Sequence, residues 1–297
     1  MNDVDCSRID NHQTCKRRFK RTPYLLILPG IGWLFLFFVF PLSTLLATSL
    51  QKPAGISPDD GYLPAFKVSN YSSALAEYYP QFFRAFLYAG IATVICLLLA
   101  YPIAYYMAFR ARKHRNLMLV LIVAPFFASF LLRTNAWKTI LSGDGFVVSV
   151  LNSINLLPQD RILNTSLAVV AGLTYNFLPF MILPLYTSLE KIDPRLIEAA
   201  GDLYSPPSQR FWKVVWPLSL PGVISGTLLT FIPASGDYIN AELLGSIKDK
   251  MIGNVIQSQF IDLRDYPTAS SLSFTFMAII LVMIYLYIRK AGTDDLV

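Results

Sequence analysis

The sequence predicts an all-α membrane protein with six transmembrane helices, and three observations support this fold class. Of 297 residues, 54% are hydrophobic and only 15% are charged, with a mean hydropathy of +0.48. This composition is more apolar than that of an ordinary soluble domain. Basic residues cluster beside long segments that contain no Asp, Glu, Lys or Arg. These charge-free segments are 22–51, 85–109, 116–132, 162–189, 214–236 and 266–288.

Each charge-free segment is long enough, or nearly long enough, to cross a bilayer. A hydrocarbon core of about 30 Å requires roughly 20 apolar residues in a helix. The shortest segment is predicted to continue past Arg133 toward Ile140. Pro217, Pro221 and Pro233 predict that the fifth helix is bent or discontinuous. The predicted helices are 24–50, 84–109, 117–141, 166–189, 214–236 and 268–288.

The positive residues between the helices predict the orientation. If the N-terminus is cytoplasmic, the inner segments hold 16 of the 25 Lys and Arg residues, mostly close to the helices. Cytoplasmic loops are enriched in these residues, so both termini are predicted to be cytoplasmic. The predicted organisation is a basic tail at 1–21, a six-helix domain at 22–290 that includes a cytoplasmic loop at 190–213, and a short tail at 291–297.

The residues needed for catalysis are missing from the predicted membrane region. Both histidines, His12 and His114, lie among basic residues outside the predicted helices. No lysine follows a glycine, which excludes a phosphate-binding loop of the G-x-x-x-x-G-K type. The three cysteines are scattered and do not suggest a metal site, and no basic strip with interleaved aromatics suggests nucleic acid. We therefore expect no catalytic residue, metal or cofactor on this chain. A membrane-embedded enzyme remains the alternative from another class.

The loop before the fifth helix carries a family motif. Residues 198–223 read EAAGDLYSPPSQRFWKVVWPLSLPGV, which resembles the Glu-Ala-Ala loop of ABC importer permeases. The resemblance implies type I ABC importer permease architecture. It also implies that a short helix at 194–203, starting at Asp193-Pro194, docks in a cleft of an ATPase subunit. The residues implied in this coupling are Glu198, Ala199, Ala200, Asp202 and Leu203.

One position departs from the family pattern. The family usually has a glycine six residues after the glutamate, whereas this chain has Tyr204, with a glycine at Gly201 instead. The pair Pro206-Pro207 then enforces an extended turn. The short helix is therefore expected to end with a different cap, while its docking role is unaffected.

Other segments resemble the permeases of spermidine/putrescine transporters. The resemblance implies a bacterial inner-membrane, multi-pass permease that imports polyamines by alternating access. It further implies a second homologous permease, two ATPase subunits that bind ATP and Mg²⁺, and an extracytoplasmic substrate-binding protein that meets segments 51–83 and 237–267. The matching stretches are 125–137, 178–186, 188–193, 231–238, 242–245 and 251–256.

A polyamine pathway requires carboxylates for the ammonium groups and aromatic faces for the methylene spacers. Asp237 and Tyr238 follow the fifth helix, and Glu242 lies nearby in the sequence. Trp137 and Tyr175 are candidates for the wall of the pathway, although buried aromatics more often serve packing. Asp237 has structural alternatives, since it could cap a helix end, meet solvent, or pair with Arg133 or Lys138. Another organic cation, a metal chelate or an anion remains the alternative substrate.

Overall fold

The computed structural model describes residues 22–55, 61–111, 113–143, 145, 148–149 and 162–291, and these residues are almost entirely helical. The chain divides into two compact units, Met1–Leu45 and Leu46–Val297. The helices are α1 Thr22–Leu34, α2 Phe40–Ser49, α3 Ser69–Phe109, α4 Arg115–Val123, α5 Phe130–Ile140, α6 Ser166–Glu190, α7 Pro194–Asp202, α8 Pro207–Arg210, α9 Trp216–Ser235, α10 Ile239–Leu244, α11 Ile252–Ile261 and α12 Tyr266–Ala291.

The prediction of six spans is confirmed when a bent pair of helices is counted as one span. Five helical stretches of the described chain are long and apolar enough to cross a membrane. The sixth span consists of Arg115–Phe127 and Phe130–Ile140, which meet at 94°. The five stretches are Ile27–Ser49, Ser69–Phe109, Ser166–Glu190, Pro207–Ser235 and Tyr266–Lys290.

The fifth helix was predicted to be bent or discontinuous; it is not discontinuous, and the sharp break lies in the third span instead. Residues Pro207–Ser235 form one continuous span, with a π-helical turn at Phe211–Val215 ahead of the first proline in α9. Such local π adjustments and neighbouring serine hydroxyls let a membrane helix tolerate proline. In the third span, by contrast, Ala128 has an extended backbone with ψ of 145° and separates the two helical halves.

Helix α3 is much longer than the predicted second span. It runs without a break for 41 residues and so begins 15 residues before the predicted start at 84. Two short antiparallel strands, β1 Gln51–Pro53 and β2 Tyr62–Pro64, precede it. We call the surface that carries these strands the β side, and the surface that carries α7 the α7 side. Arg115 and Glu190 pair at 2.8 Å on the α7 side. This ion pair joins the start of the third span to the end of the fourth.

The centre of the second unit is the packing of α6 along both α3 and α9. The approach of α9 to α6 is close at Gly222, where a Cβ atom would lie 2.5 Å from Ser188 Cβ and 2.9 Å from the Pro184 carbonyl oxygen. Gly226, one turn later, lies against Met181 in the same way. Small residues four apart allow two membrane helices to pack backbone to backbone. The sequence Gly222–Gly226 therefore forms the contact surface of α9.

On the β side, a hydrogen-bonded cluster ties the segment after α9 to α3. Asp249 accepts hydrogen bonds from the Tyr88 hydroxyl at 2.9 Å and from the Ser246 amide at 3.0 Å. The Arg84 guanidinium donates to the carbonyl oxygen of Lys248. These bonds hold the turn between α10 and α11 against α3 at Arg84 and Tyr88, on the β side.

Candidate functional site

Asp237 lies two residues beyond the end of α9 and is half-buried. Its carboxylate accepts a hydrogen bond of 2.7 Å from the backbone amide of Asn240, in the first turn of α10. The helix-cap alternative therefore describes its contact in the structure, although the helix it caps is α10 and not the one before it. The alternative of a pair with Arg133 or Lys138 is not observed, because within the described residues no basic side chain lies within 4.0 Å of Asp237. The Arg133 guanidinium instead lies over the ring of Phe126, 4.8 Å from its centroid.

Tyr238 and Glu242 lie beside Asp237 and share one partner. The side-chain amide of Asn254 donates to the Tyr238 carbonyl oxygen at 2.9 Å and to the Glu242 carboxylate at 3.0 Å. The Tyr238 side chain is 40% exposed. The structure thus brings together three of the predicted pathway residues, with Asn254 as the side chain that positions two of them.

A pair of buried asparagines next to this group was not predicted. Asn176 donates to the Asn240 side-chain oxygen at 3.1 Å, and Thr134 lies within 3.4 Å of the same Asn176 amide. All three side chains are at most 1% exposed. The second polar atom of each asparagine, Asn176 Oδ1 and Asn240 Nδ2, has no hydrogen-bond partner within the described chain. The available signal was Asn176, an amide inside a charge-free segment.

Trp137 and Tyr175 form a second group that lies apart from the carboxylates. Their ring centroids are 5.3 Å apart, and both rings line a cavity of about 440 Å³ between α3, α5 and α6. The other lining side chains are almost all aliphatic, among them Ile95, Leu99 and Leu178. The two predicted wall residues are therefore together, but they are in an apolar cavity. Among the described residues, no group of His, Cys, Asp and Glu side chains is arranged to hold a metal ion.

We expect Asp237→Asn to stabilise the chain at pH 7. Asp237 lies outside the membrane-spanning segments, and burial raises its pKa from 3.8 to about 6, against the opposing effect of the Asn240 amide. The folded protein therefore binds a proton more readily than the unfolded chain, so its stability falls as pH rises from about 4 to about 6. Asparagine keeps an acceptor for the Asn240 amide and removes this loss. The midpoint of thermal unfolding in detergent, measured from pH 4 to pH 8, should rise by the equivalent of about 1–2 kcal/mol above pH 6. An equal midpoint at pH 8 would contradict the expectation.

The residues predicted to couple to an ATPase are gathered on α7. The Asp193 carboxylate caps the helix by accepting from the Arg195 amide at 2.9 Å, and Pro194 occupies the first helical position. This start agrees with the predicted one. Glu198, Ala199 and Asp202 are exposed and Ala200 is half-buried. Leu203, directly after the helix, is 81% exposed.

Two backbone hydrogen bonds close the end of α7. The Ser205 amide donates to the Ala200 carbonyl at 3.2 Å, and the Tyr204 amide donates to the Gly201 carbonyl at 2.9 Å. This pair of hydrogen bonds is a Schellman motif, which places the residue after the cap in the left-handed region. Tyr204 occupies that position with φ of +55°, where the family has glycine. The tyrosine thus adopts the left-handed conformation that this motif most often gives to glycine.

Gly201 has a separate structural role, which is to make room for the side chain of Arg210. A Cβ atom there would lie 3.0 Å from Nη1 and 3.2 Å from Cζ of Arg210, so glycine lets that guanidinium lie close against the helix, and a larger residue would require the arginine to shift slightly. From this position Arg210 donates to the Ser205 carbonyl at 2.7 Å. The two bonded ends of the loop therefore hold Tyr204 in a fixed place.

An open cleft of about 800 Å³ lies next to α7, between the adjacent ends of α6 and α9. Hydroxyl side chains line its wall, and one basic and one acidic side chain lie among its lining residues. These polar residues are Thr187, Ser188, Ser225, Lys191 and Asp193.

Comparison with known proteins identifies relatives along most of the chain. Residues 82–291 match a family described as "binding-protein-dependent transport system inner membrane component". The chain is 39% identical to the spermidine/putrescine transport system permease protein PotB of Haemophilus influenzae, over 87% of this chain and 90% of the relative. It is 36% identical to the PotB protein of Escherichia coli K12, over 90% of this chain and 96% of the relative.

Two solved structures of bacterial ABC transporters share the fold. One transporter is described as involved in the import of the acidic polysaccharide alginate, and its matching chain gives a TM-score of 0.64 at 16% identity. That match covers 91% of this chain and 94% of the other. The second is an alginate ABC transporter in complex with a pentasaccharide-bound periplasmic protein, with a TM-score of 0.69 at 15% identity. It covers 92% of this chain and 95% of the other.

Proposed function

Since the chain belongs to the family of binding-protein-dependent transport system inner membrane components, we propose that it is the permease subunit of an ATP-driven ABC importer of polyamines. The observation that carries this proposal is the 39% identity to a spermidine/putrescine permease over nearly the whole of both chains. The chain is a multi-pass protein of the inner membrane, and it performs no covalent chemistry of its own.

The proposed partners follow from this assignment. They are a second homologous permease, two ATPase subunits that bind ATP and Mg²⁺, an extracytoplasmic substrate-binding protein and the surrounding membrane lipid; no nucleic acid is involved. The exposed helix α7 supports the ATPase contact, because its outward surface carries Glu198 and Ala199 with nothing in the described chain covering them. Small side chains such as Ala199 permit close approach of another protein.

We assign the α7 side to the cytoplasm and the β side to the exterior. Arg110, Lys113 and Arg115 lie at the α7 end of the bundle, as the excess of basic residues in cytoplasmic loops requires. The binding protein then meets the β side, where the Asp249 cluster holds the loop after α9 in one shape. The cleft beside α7 opens to the cytoplasm and is the proposed exit of the pathway.

Asp237 is the proposed first carboxylate for a substrate ammonium group. It lies at the exterior end of α9, half-buried, with one backbone hydrogen bond and no basic partner within the described residues. A carboxylate in such a place is costly unless a cation arrives to neutralise it. Tyr238 and Glu242 extend the polar group beside it, while the Trp137–Tyr175 cavity offers apolar faces for methylene spacers.

Uptake measurements in proteoliposomes test the function. The chain, its partner permease, the ATPase and the binding protein are reconstituted together with labelled spermidine. We expect uptake that requires ATP and the binding protein, and that falls when unlabelled putrescine competes but not when choline does. Uptake by this chain without ATPase or ATP would refute the proposal, as would an intact complex that ignores polyamines and carries another solute.

Asp237→Asn should lower this uptake by about 10- to 100-fold, because one charge-assisted contact with the substrate is worth roughly 1.5–3 kcal/mol. The same reconstituted vesicles serve for the measurement, with Asp237→Glu, which keeps the negative charge, as the matched variant. Unchanged uptake by Asp237→Asn would place the residue outside the pathway and leave it a helix cap.

A further inference from the structure

Two large side chains directly after the end of α7 are exposed on the surface of the chain. Tyr204 is 96% exposed and Leu203 is 81% exposed. Within the described residues the Tyr204 side chain makes no hydrogen bond and no ring contact. The two side chains are adjacent, and contiguous exposed apolar surface is typical of sites where another molecule binds.

The backbone of Tyr204 makes this exposure costly to the isolated chain. With φ of +55° the residue lies in the left-handed region, where a side chain with a Cβ atom is strained and glycine is not. The Schellman motif requires this conformation at the position after the cap. Glycine would satisfy the same two backbone hydrogen bonds without strain. The ring therefore contributes nothing to the fold that would offset the strain.

The loop nevertheless fixes the backbone that carries the ring. Both backbone groups of Ser205, the residue after Tyr204, are bonded: its carbonyl accepts from the Arg210 guanidinium at 2.7 Å, and its amide donates to the Ala200 carbonyl at 3.2 Å. Pro206 and Pro207 restrict the chain directly after it. Because this backbone is already ordered, a partner that binds the ring does not have to order the loop as well.

The charges around the α7 tip, formed by Leu203 and Tyr204, favour a protein rather than the membrane surface as its partner. From 193 to 210 the chain has two basic residues, Arg195 and Arg210, and three acids, of which Asp202 lies two residues from the ring. Anionic lipid headgroups attract clusters of Lys and Arg. Such a cluster is present at Arg110–Arg115 in the same chain, whereas the α7 tip lacks it. The tip is also continuous with the exposed surface of α7 that carries Glu198.

We propose that Leu203 and Tyr204 form an apolar anchor that inserts into the ATPase subunit beside the groove that receives α7. Aromatic residues in fixed positions are the side chains that most often dominate protein interfaces. The anchor rests on the proposed function, since it requires that an ATPase docks on α7. It makes a second contact beyond the helix itself, and it gives this permease a partner preference that a glycine at the same position would not.

Opposite effects on stability and binding test the anchor. The full-length chain with its partner permease is placed in nanodiscs, and the affinity of the ATPase subunit is measured for Tyr204→Gly, Tyr204→Phe and the unaltered chain. We expect Tyr204→Gly to bind the ATPase at least tenfold more weakly and Tyr204→Phe to bind within about twofold of the unaltered chain. The thermal midpoint of Tyr204→Gly without ATPase should be equal to or higher than that of the unaltered chain.

Unchanged affinity in Tyr204→Gly would overturn the anchor while leaving the proposed function intact. A lower midpoint of that variant without ATPase would also overturn it, because the ring would then stabilise the chain itself. No binding by the unaltered chain would refute the proposed function and the anchor together. A photoreactive phenylalanine at position 204 should crosslink to the ATPase, whereas one at Phe127, which is 90% exposed, should not. Crosslinks from 204 to lipid alone would assign the tip to the membrane surface.

Discussion

Replacing Gly222 with valine is expected to prevent the second unit from packing. A Cβ atom at this position already falls 2.5 Å from Ser188 Cβ and 2.9 Å from a backbone oxygen of α6. Valine adds two methyl groups beyond that point, and the backbone of α6 cannot rotate away as a flexible side chain would. Overpacking of this kind costs about 3 kcal/mol or more. We expect little monodisperse protein in size-exclusion chromatography and a strongly lowered thermal midpoint.

The matched control is the same substitution at Gly90, inside the second span. A Cβ atom at Gly90 has nothing within 4 Å, and valine has a slightly higher helix propensity than glycine. Gly90→Val should therefore fold normally, with a midpoint close to that of the unaltered chain. If both variants lose stability alike, glycine would matter at these positions for a reason other than close packing of α9 on α6.

Glu198→Arg is expected to separate the permease from its ATPase. Glu198 is exposed on α7 and makes no hydrogen bond or ion pair within the described residues, so the variant should fold as the unaltered chain does. Reversing a charge at a docked surface places like charges together or leaves a partner's donor unmatched, which costs several kcal/mol. Association in a pull-down assay should fall at least about 100-fold, and ATP-dependent uptake should fall to background.

The control for charge reversal is Asp262→Arg, which changes an exposed acid on the β side. It should leave ATPase association unchanged, whatever its effect on the binding protein. Normal association and uptake in Glu198→Arg would show that α7 is not the docking surface. It would leave the family membership of the chain unaffected.

The positions of the spans were predictable because hydrocarbon excludes charge. Breaks in the spans were not predictable by counting prolines. A proline removes a single amide donor, and a π turn such as Phe211–Val215 can accommodate it, so α9 stays continuous. The sharp bend in the third span depends on the extended backbone of Ala128. Its sequence there, Pro125-Phe126-Phe127-Ala128-Ser129, is as apolar as any helix around it.

The candidate site was predicted where it carries charge and missed where it does not. Asp237 follows a span, so its carboxylate was conspicuous, and the carboxylate of Glu242 drew attention in the same way. The Asn176–Asn240 pair is buried and uncharged, and two asparagines 64 residues apart meet only through the fold. The spacing of Gly222 and Gly226 was readable as a packing motif, but the closeness of α6 that gives it meaning depends on tertiary structure.

The length of α3 gives the protein a mechanical property that a bundle of six short helices would lack. Its 41 residues extend for roughly 60 Å, about twice the thickness of the hydrocarbon core. The same helix carries Tyr88, which is bonded to the Asp249 turn, and about 20 Å further along Tyr101, which packs on Trp216 just ahead of the Gly222 contact. A tilt of about 5° would displace one end by roughly 5 Å relative to the other. The Asp249 turn and the Trp216 contact are thus connected through one helix, with no non-helical residue between them.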